Sequence, residues 1–347
     1  MTTQRLPKEP WLDTNGNPIN AHGGGILLYQ DTYYWYGEHK IEGKAGNRAH
    51  VGIHAYSSKD LFNWKDEGVV LDIRNNAFKE LPAGCVMERP KVMQSLETGK
   101  FVMLFHFESG TSYNTAAVGF AVADAPTGPF SLHHIQRPNP GIWPVNTPDE
   151  LKDEKLIEKT KEIIDTFGCG DNAIAPTCSI LGAHIPDGQD SRDMTLFRDD
   201  DGKTYHVYSS EKNSTIHIAE LTPDLLGYTG KYHRIFPFRW MEAPCIFKHD
   251  GYYVFIGSGC TGWAPNAARS AVAPALEGPW TELKNPAQGP GADTTFGSQS
   301  TFVLTLKDGQ YIFMADRWRP ENAIDGRYLW LPIHFDGQQP IIKDDSF

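Results

Sequence analysis

Met241-Glu242-Ala243-Pro244-Cys245-Ile246-Phe247-Lys248-His249-Asp250-Gly251-Tyr252-Tyr253-Val254-Phe255 decides the fold. Cys245-Ile246-Phe247 is a short apolar strand. His249-Asp250-Gly251 is a turn of the Asp-Gly kind that favours a two-residue hairpin, and Tyr252 to Phe255 is an aromatic return strand. The unit opens on a carboxylate, Glu242.

The plan recurs four times. Gly23-Gly24-Gly25-Ile26-Leu27-Leu28-Tyr29 returns through Thr32-Tyr33-Tyr34-Trp35-Tyr36. Glu88-Arg89-Pro90-Lys91-Val92-Met93 returns through Lys100-Phe101-Val102-Met103-Leu104-Phe105. Asp193-Met194-Thr195-Leu196-Phe197 leads to Thr204-Tyr205-His206-Val207-Tyr208, and Gln299-Ser300-Thr301-Phe302-Val303-Leu304 leads to Tyr311-Ile312-Phe313-Met314. The opening residues are therefore His22, Glu88, Asp193, Glu242 and Gln299.

Each hairpin is followed by an outer pair of strands. The pattern Ala-x-Ala-x-x-Gly-Pro-Phe/Trp, at 123–130 and again at 273–280, turns the third strand into the fourth, so the units read as four-stranded. Units of this kind, each unable to bury both faces alone, predict an all-β, five-bladed β-propeller. A propeller sets the first strand of every blade around one axis, so the five opening residues are expected to converge on one face. The repeats argue for one catalytic domain over residues 1–347, with an insertion at about 136–190 between blades two and three. There Thr147-Pro148-Asp149-Glu150 reads as a helix start, followed by Leu156, Ile157, Ile163, Ile164 and Phe167 at helical spacing, which predicts one amphipathic helix.

Composition narrows the partners. A net charge of -11 argues against nucleic acid and anionic membrane surfaces, both of which select for basic patches. No apolar run reaches the roughly 18 residues of a membrane span. Aromatic residues are 12% of the chain, which suits strands and sugar platforms alike. The first ten residues hold no apolar core of a secretory signal, so the expectation is a cytoplasmic protein, or an exported one whose signal has been removed. The cysteines Cys85, Cys169, Cys178, Cys245 and Cys260 lack zinc-site spacing; Cys169 and Cys178 are the candidate pair if the protein is exported.

Carboxylates opening on one concave face are what glycosidic cleavage requires, since one acid protonates the leaving oxygen while another group activates water or attacks. Glu88, Asp193 and Glu242 form that set. Taken singly each reads as a salt-bridged surface residue, with Arg89 and Arg192 as ready partners.

With Ser191-Arg192-Asp193-Met194-Thr195-Leu196-Phe197 and Met241-Glu242-Ala243-Pro244 in blades three and four, the chain from about Ala21 to Phe335 resembles glycoside hydrolase family 43. The resemblance implies a pKa-setting role for Asp193 and a general-acid role for Glu242. Most of that family opens blade one with a base Asp, whereas this chain reads Asn20-Ala21-His22-Gly23-Gly24-Gly25. Together with Tyr36-Gly37-Glu38, Glu88-Arg89-Pro90-Lys91-Val92 and Gly297-Ser298-Gln299-Ser300, it resembles the exo-β-1,3-galactanase branch.

That likeness implies an inverting enzyme that releases galactose from β-1,3-galactan, the backbone of arabinogalactan. Gln299 would stand in for the missing base as an imidic acid, with Glu88 supporting it. An ordinary amide is a poor base, so the other reading of Gln299 is a ligand for a sugar hydroxyl. The likeness also implies sugar contacts at Glu38, Tyr113 and Thr261. His22, Trp263, Arg317 and Trp318 join the candidate pocket, Trp263 as a stacking platform.

No cofactor is required by this chemistry. A lone His22 without companion ligands assigns no metal, and an axial calcium or other ion stays open. The rival readings are a family 43 α-L-arabinofuranosidase or β-xylosidase, and a galactan-binding propeller without catalysis.

Overall fold

A computed structural model of the chain describes residues 10–74, 77–110, 113–152 and 181–344. Blade one is β1 (His22–Tyr29), β2 (Thr32–Lys40), β3 (His50–Ser58) and β4 (Lys65–Asp72). Blade two is β5 (Val86–Gln94), β6 (Phe101–Glu108), β7 (Ala117–Ala123) and β8 (Ser131–Gln136). Blade three is β9 (Met194–Arg198), β10 (Thr204–Ser210), β11 (Thr215–Leu221) and β12 (Tyr228–Ile235). Blade four is β13 (Met241–His249), β14 (Tyr252–Gly259), β15 (Arg269–Ala273) and β16 (Thr281–Glu282). These four are antiparallel meanders, as the repeats predict.

Blade five departs from the expected four strands. β18 (Gln299–Thr305), β19 (Tyr311–Arg317), β20 (Arg327–Asp336) and β21 (Gln339–Lys343) form its meander, and β17 (Ala287–Gln288) adds a parallel fifth strand to the outer edge. β17 is two residues long, too short for any periodicity to reveal it.

The decisive hairpin has the expected form. β13 and β14 are joined by Asp250 and Gly251 alone, with φ of 47° and 80°, the left-handed pair that a type I′ turn needs. The first strands β1, β5, β9, β13 and β18 contact one another in a closed ring, and this is the five-bladed β-propeller.

Five apolar clusters fill the five junctions between blades. The junction of blades five and one closes the ring. Because each of those blades is built from its own end of the chain, closure there rests on side-chain packing. Trp35 is the centre of it, with ring centroids 4.7 Å from Tyr328, 4.8 Å from Trp330, 5.4 Å from Trp64 and 5.8 Å from Trp11.

The expected amphipathic helix lies mostly outside the described residues, as do Cys169 and Cys178. What is described of its start is a 3₁₀ turn, Asp149–Leu151, preceded by Pro148 in extended conformation (ψ 146°), so the proline stands one residue before the turn rather than in it. Among the described residues no helix is long and apolar enough to cross a membrane.

Trp35 is 1% exposed, so Trp35→Ala empties the closing junction. The expected loss is about 3–5 kcal/mol, the range for large-to-small aromatic substitutions in a core. Urea denaturation followed by near-UV circular dichroism measures it.

Candidate active site

The opening residues sit where the first strands begin, and a local backbone device aims them. Immediately after His22, Glu88 and Glu242 come Gly23, Arg89 and Ala243, with φ of 62°, 55° and 53°, each at an irregularity in pairing between the first and second strands. Such bulges take a residue out of the ladder and redirect its neighbour.

The displaced backbone groups then find side-chain partners. Gly23 donates its N–H to Asp316 Oδ2 (2.7 Å), Arg89 to Glu38 Oε1 (3.2 Å) and Ala243 to Asp193 Oδ2 (3.0 Å). On the carbonyl side, Lys91 Nζ donates to Gly23 O (3.0 Å) and Arg89 O (3.3 Å), and Ser300 Oγ donates to Ala243 O (2.8 Å).

A cavity of about 260 Å³ opens above these bulges. It brings together Glu38, Glu88, Asp193, Glu242 and Gln299, with Tyr113, Trp263 and Trp318 on its walls. Three sequence candidates lie elsewhere. His22 is 1% exposed and turns toward Tyr328 Oη (3.5 Å) and Asp316 (3.8 Å), beneath the cavity; burial holds its pKa down at about 3. Thr261 folds back into its own loop, accepting from Asn266 Nδ2 at 2.6 Å and donating to Ala264 O at 2.5 Å. Arg317 donates to Phe296 O (3.2 Å) and faces Asp344 at 3.7 Å. In each case the side chain has a local partner that sequence does not display.

Arg89 is the hub. Its guanidinium is 4% exposed and donates to Asp193 Oδ2 (2.9 Å), Gln299 Oε1 (2.6 Å) and Ser300 O (2.7 Å), 5.3 Å from the centre of the Trp318 ring. Arg192, its expected companion, instead donates to Tyr113 O at 2.6 Å.

Gln299 is held on both sides. Its Oε1 accepts from Arg89 and from Trp318 Nε1 (3.0 Å), and its Nε2 donates to Ser258 Oγ (3.0 Å). Arg89 and Trp318 can only donate, which fixes which end of the amide is oxygen. Among the described contacts Glu88, its expected support, makes no bond to Gln299: Oε1 accepts from Tyr113 Oη (2.9 Å) and Oε2 meets His106 Nδ1 (2.6 Å). Burial works against the charge on Glu88, but the bonds and charge of His106 outweigh it and hold its pKa at about 2.

Glu242 is the opposite case. Burial first, and the charge of Asp193 second, push its pKa up to about 8. It accepts from the neutral amide of Asn213, Nδ2 to Oε1 at 2.7 Å, and the Cys260 thiol also hydrogen-bonds to it. Asn213 escaped the sequence reading. It ends a run of three left-handed residues, Glu211, Lys212 and Asn213, with φ of 51°, 60° and 69°. A buried network fixes that turn: Arg234 grips Glu211 through two bonds (2.6 and 2.7 Å), and His217 approaches Glu211 at 2.8 Å.

A carboxylic acid that keeps its proton near neutrality, beside a second carboxyl group in one axial cavity of a propeller, is the equipment of a glycoside hydrolase. The sequence pattern of Glycosyl hydrolases family 43 matches residues 180–329. The β-D-galactofuranosidase xynD of Aspergillus niger is 30% identical over 283 residues, 79% of this chain and 68% of the relative. A solved GH43 β-1,3-galactosidase with galactodeoxynojirimycin is 44% identical, with 99% of each chain covered and a TM-score of 0.87. An exo-β-1,3-galactanase of Phanerochaete chrysosporium, solved with β-1,3-galactotriose, is 30% identical with a TM-score of 0.77. The alignment covers 97% of this chain but 66% of that one. The chain belongs to glycosyl hydrolase family 43, and its ligand is a carbohydrate.

Arg89→Met removes the only cation bonded to Asp193 among the described contacts and strips Gln299 Oε1 of one donor. Breaking a buried charge pair from one side is expected to cost about 3–5 kcal/mol. The midpoint of guanidinium denaturation should fall accordingly, with an unchanged slope.

Proposed function

We propose that this chain is an inverting, exo-acting β-1,3-galactanase that releases galactose from the non-reducing end of β-1,3-galactan. The observation that carries the chemistry is the placing of Glu242, buried, beside Asp193 on the wall of one cavity, which pushes its pKa up. Exo action, the linkage and the sugar rest on the likeness to the β-1,3-galactosidase and exo-β-1,3-galactanase, which extends over nearly the whole of this chain.

In this reading Glu242 is the general acid. Asn213 holds the carboxyl at Oε1 on the cavity wall, from where its proton can reach the glycosidic oxygen. Asp193 keeps that proton in place through its charge and is itself anchored by Arg89 and the Ala243 amide. Glu88 and Glu38 are acceptors for sugar hydroxyls, and Tyr113 and Trp263 shape the wall; Trp263, 43% exposed and edge-to-face with Trp318 at 6.1 Å, offers a free ring face to a sugar. The proposed reaction draws on no cofactor.

Gln299 belongs to the water side. Acting as a base requires the imidic tautomer, with a proton on Oε1 and a lone pair on Nε2. Two donors already point at Oε1, which favours the amide form and a role in holding the attacking water. The galactofuranosidase relative supports a second reading, in which the released sugar is a furanose.

Proton NMR of the first product from β-1,3-galactan should show α-galactopyranose; arabinose, xylose or galactofuranose as the released sugar would overturn the assignment. Because the acid must be protonated, kcat/KM should fall as pH rises through about 8. Glu242→Gln should lower turnover at least about 10²-fold and abolish that alkaline limb.

Gln299→Ala should also lower turnover by about 10²-fold or more. Gln299→Glu separates its two roles: turnover below wild type agrees with water-holding, whereas turnover above wild type identifies a base.

A further inference from the structure

Beside Glu88, beginning at His106 on the cavity wall, lies a line of buried polar groups that the proposed reaction does not use. His106 on β6 is 1% exposed and Glu108, two residues on, is 0% exposed. His106 Nδ1 stands 2.6 Å from Glu88 Oε2, and its Nε2 stands 3.0 Å from Glu108 Oε1. Both ring nitrogens therefore face carboxylate oxygens.

A neutral imidazole donates from one nitrogen and presents a lone pair at the other. A lone pair facing a carboxylate is repulsive, so a proton must lie on each of the two lines. The outer oxygens offer that proton no other place. Glu108 Oε2 already accepts the backbone N–H groups of Thr115 (2.8 Å) and Ala116 (3.0 Å). At the other end, Tyr113 Oη accepts from Asn47 Nδ2 (3.0 Å), so its own proton points at Glu88 Oε1.

We propose that His106 is a positioning residue, a doubly protonated imidazolium clamped between Glu88 and Glu108, that keeps Glu88 an ionised and unrotatable acceptor for a hydroxyl of the bound sugar. This rests on the reading of the cavity as a galactose site. The ring contributes charge as well as shape. Burial disfavours the imidazolium, but the bonds to Glu108 and Glu88 raise its pKa to about 9.

The charged and titratable groups that act on Glu88 or share its wall are Glu38 and Lys40 of β2, His50 of β3, Tyr113, Arg89 and Glu242. Lys40 is itself paired to Glu38 at 2.5 Å, so the cation bonded directly to Glu88 is His106.

The test uses Glu108→Gln in the full chain. Its amide oxygen can still accept the Thr115 and Ala116 N–H groups, while its NH₂ faces Nε2 and favours the neutral ring. In wild-type protein with ¹⁵N-labelled histidine, both His106 nitrogens should resonate as protonated from pH 6 to about 9. In Glu108→Gln the ring should titrate at least one pH unit lower.

Calorimetry with D-galactose supplies the second measurement. The ratio of variant to wild-type Kd should grow by about tenfold between pH 6 and 8.5, following the ring's lost charge. A structural effect alone would leave that ratio independent of pH. An unprotonated ring nitrogen in wild-type protein at pH 7, or a pH-independent ratio, overturns the proposal. A wild-type protein that neither binds galactose nor cleaves galactan overturns the function assigned to the cavity, and with it the sugar contact of Glu88, whatever the ring signals show.

Discussion

A backbone group that leaves the β-ladder in a buried place must be paired again, and around this axis that requirement organises the site. Gly23, Arg89 and Ala243 each turn left-handed one residue after a blade opens, exposing an N–H and a carbonyl toward the centre. In all three cases a carboxylate takes the N–H, and it comes from the blade before: Asp316 of blade five serves blade one, Glu38 of blade one serves blade two, and Asp193 of blade three serves blade four. The acids that read as catalytic machinery are thus also the joints between blades. Their positions are fixed by backbone geometry.

Placing so many acids in one buried region creates an excess of negative charge, and the structure distributes it unevenly. Arg89 lies against Asp193, Lys40 against Glu38 and His106 against Glu88. Glu242 is bonded by a neutral amide and a thiol, and Asp316 by a backbone N–H. Burial raises both, to about 8 and about 7, and it raises Glu38 as well despite the Lys40 ammonium beside it. At Glu242 no directly bonded cation among the described contacts offsets the desolvation that disfavours its charge. Glu242 differs from Asp193 in its neighbours, and that difference separates a proton donor from an anion within one cavity.

The blade count was legible because it lives in local patterns: alternating apolar runs, Asp-Gly turns such as Asp250-Gly251 and the repeated Gly-Pro corner. Opening positions were legible for the same reason, since strand starts follow from those patterns. β17 was not, because two residues carry no period. Nor was the role of Arg89, which read as a generic partner for an acid; its three bonds join residues up to 211 positions apart. Asn213 was hidden because its aim depends on the Glu211–Arg234 pair, which adjacent strands assemble only after folding. Thr261 and Arg317 show the converse effect: a linear reading aims both toward the cavity, and in the structure each bonds to backbone nearby, Ala264 O and Phe296 O.

The absence of a carboxylate at the opening of blade one follows from the same arrangement. His22 pairs across the strands with Glu38, so the two occupy one level of the blade. Glu38 reaches the cavity from β2 and takes the Arg89 N–H, while His22, neutral through burial, packs against Tyr328 with ring centroids 5.2 Å apart. A carboxylate in place of His22 would lie near Asp316 in a region where burial disfavours charge. Across the axis, Gln299 meets two fixed donors on one side and the Ser258 hydroxyl on the other. An amide satisfies all three and leaves the Arg89 charge to Asp193. A carboxylate there would compete with Asp193 for that one guanidinium, and the anion that holds the proton of Glu242 in place would lose its anchor.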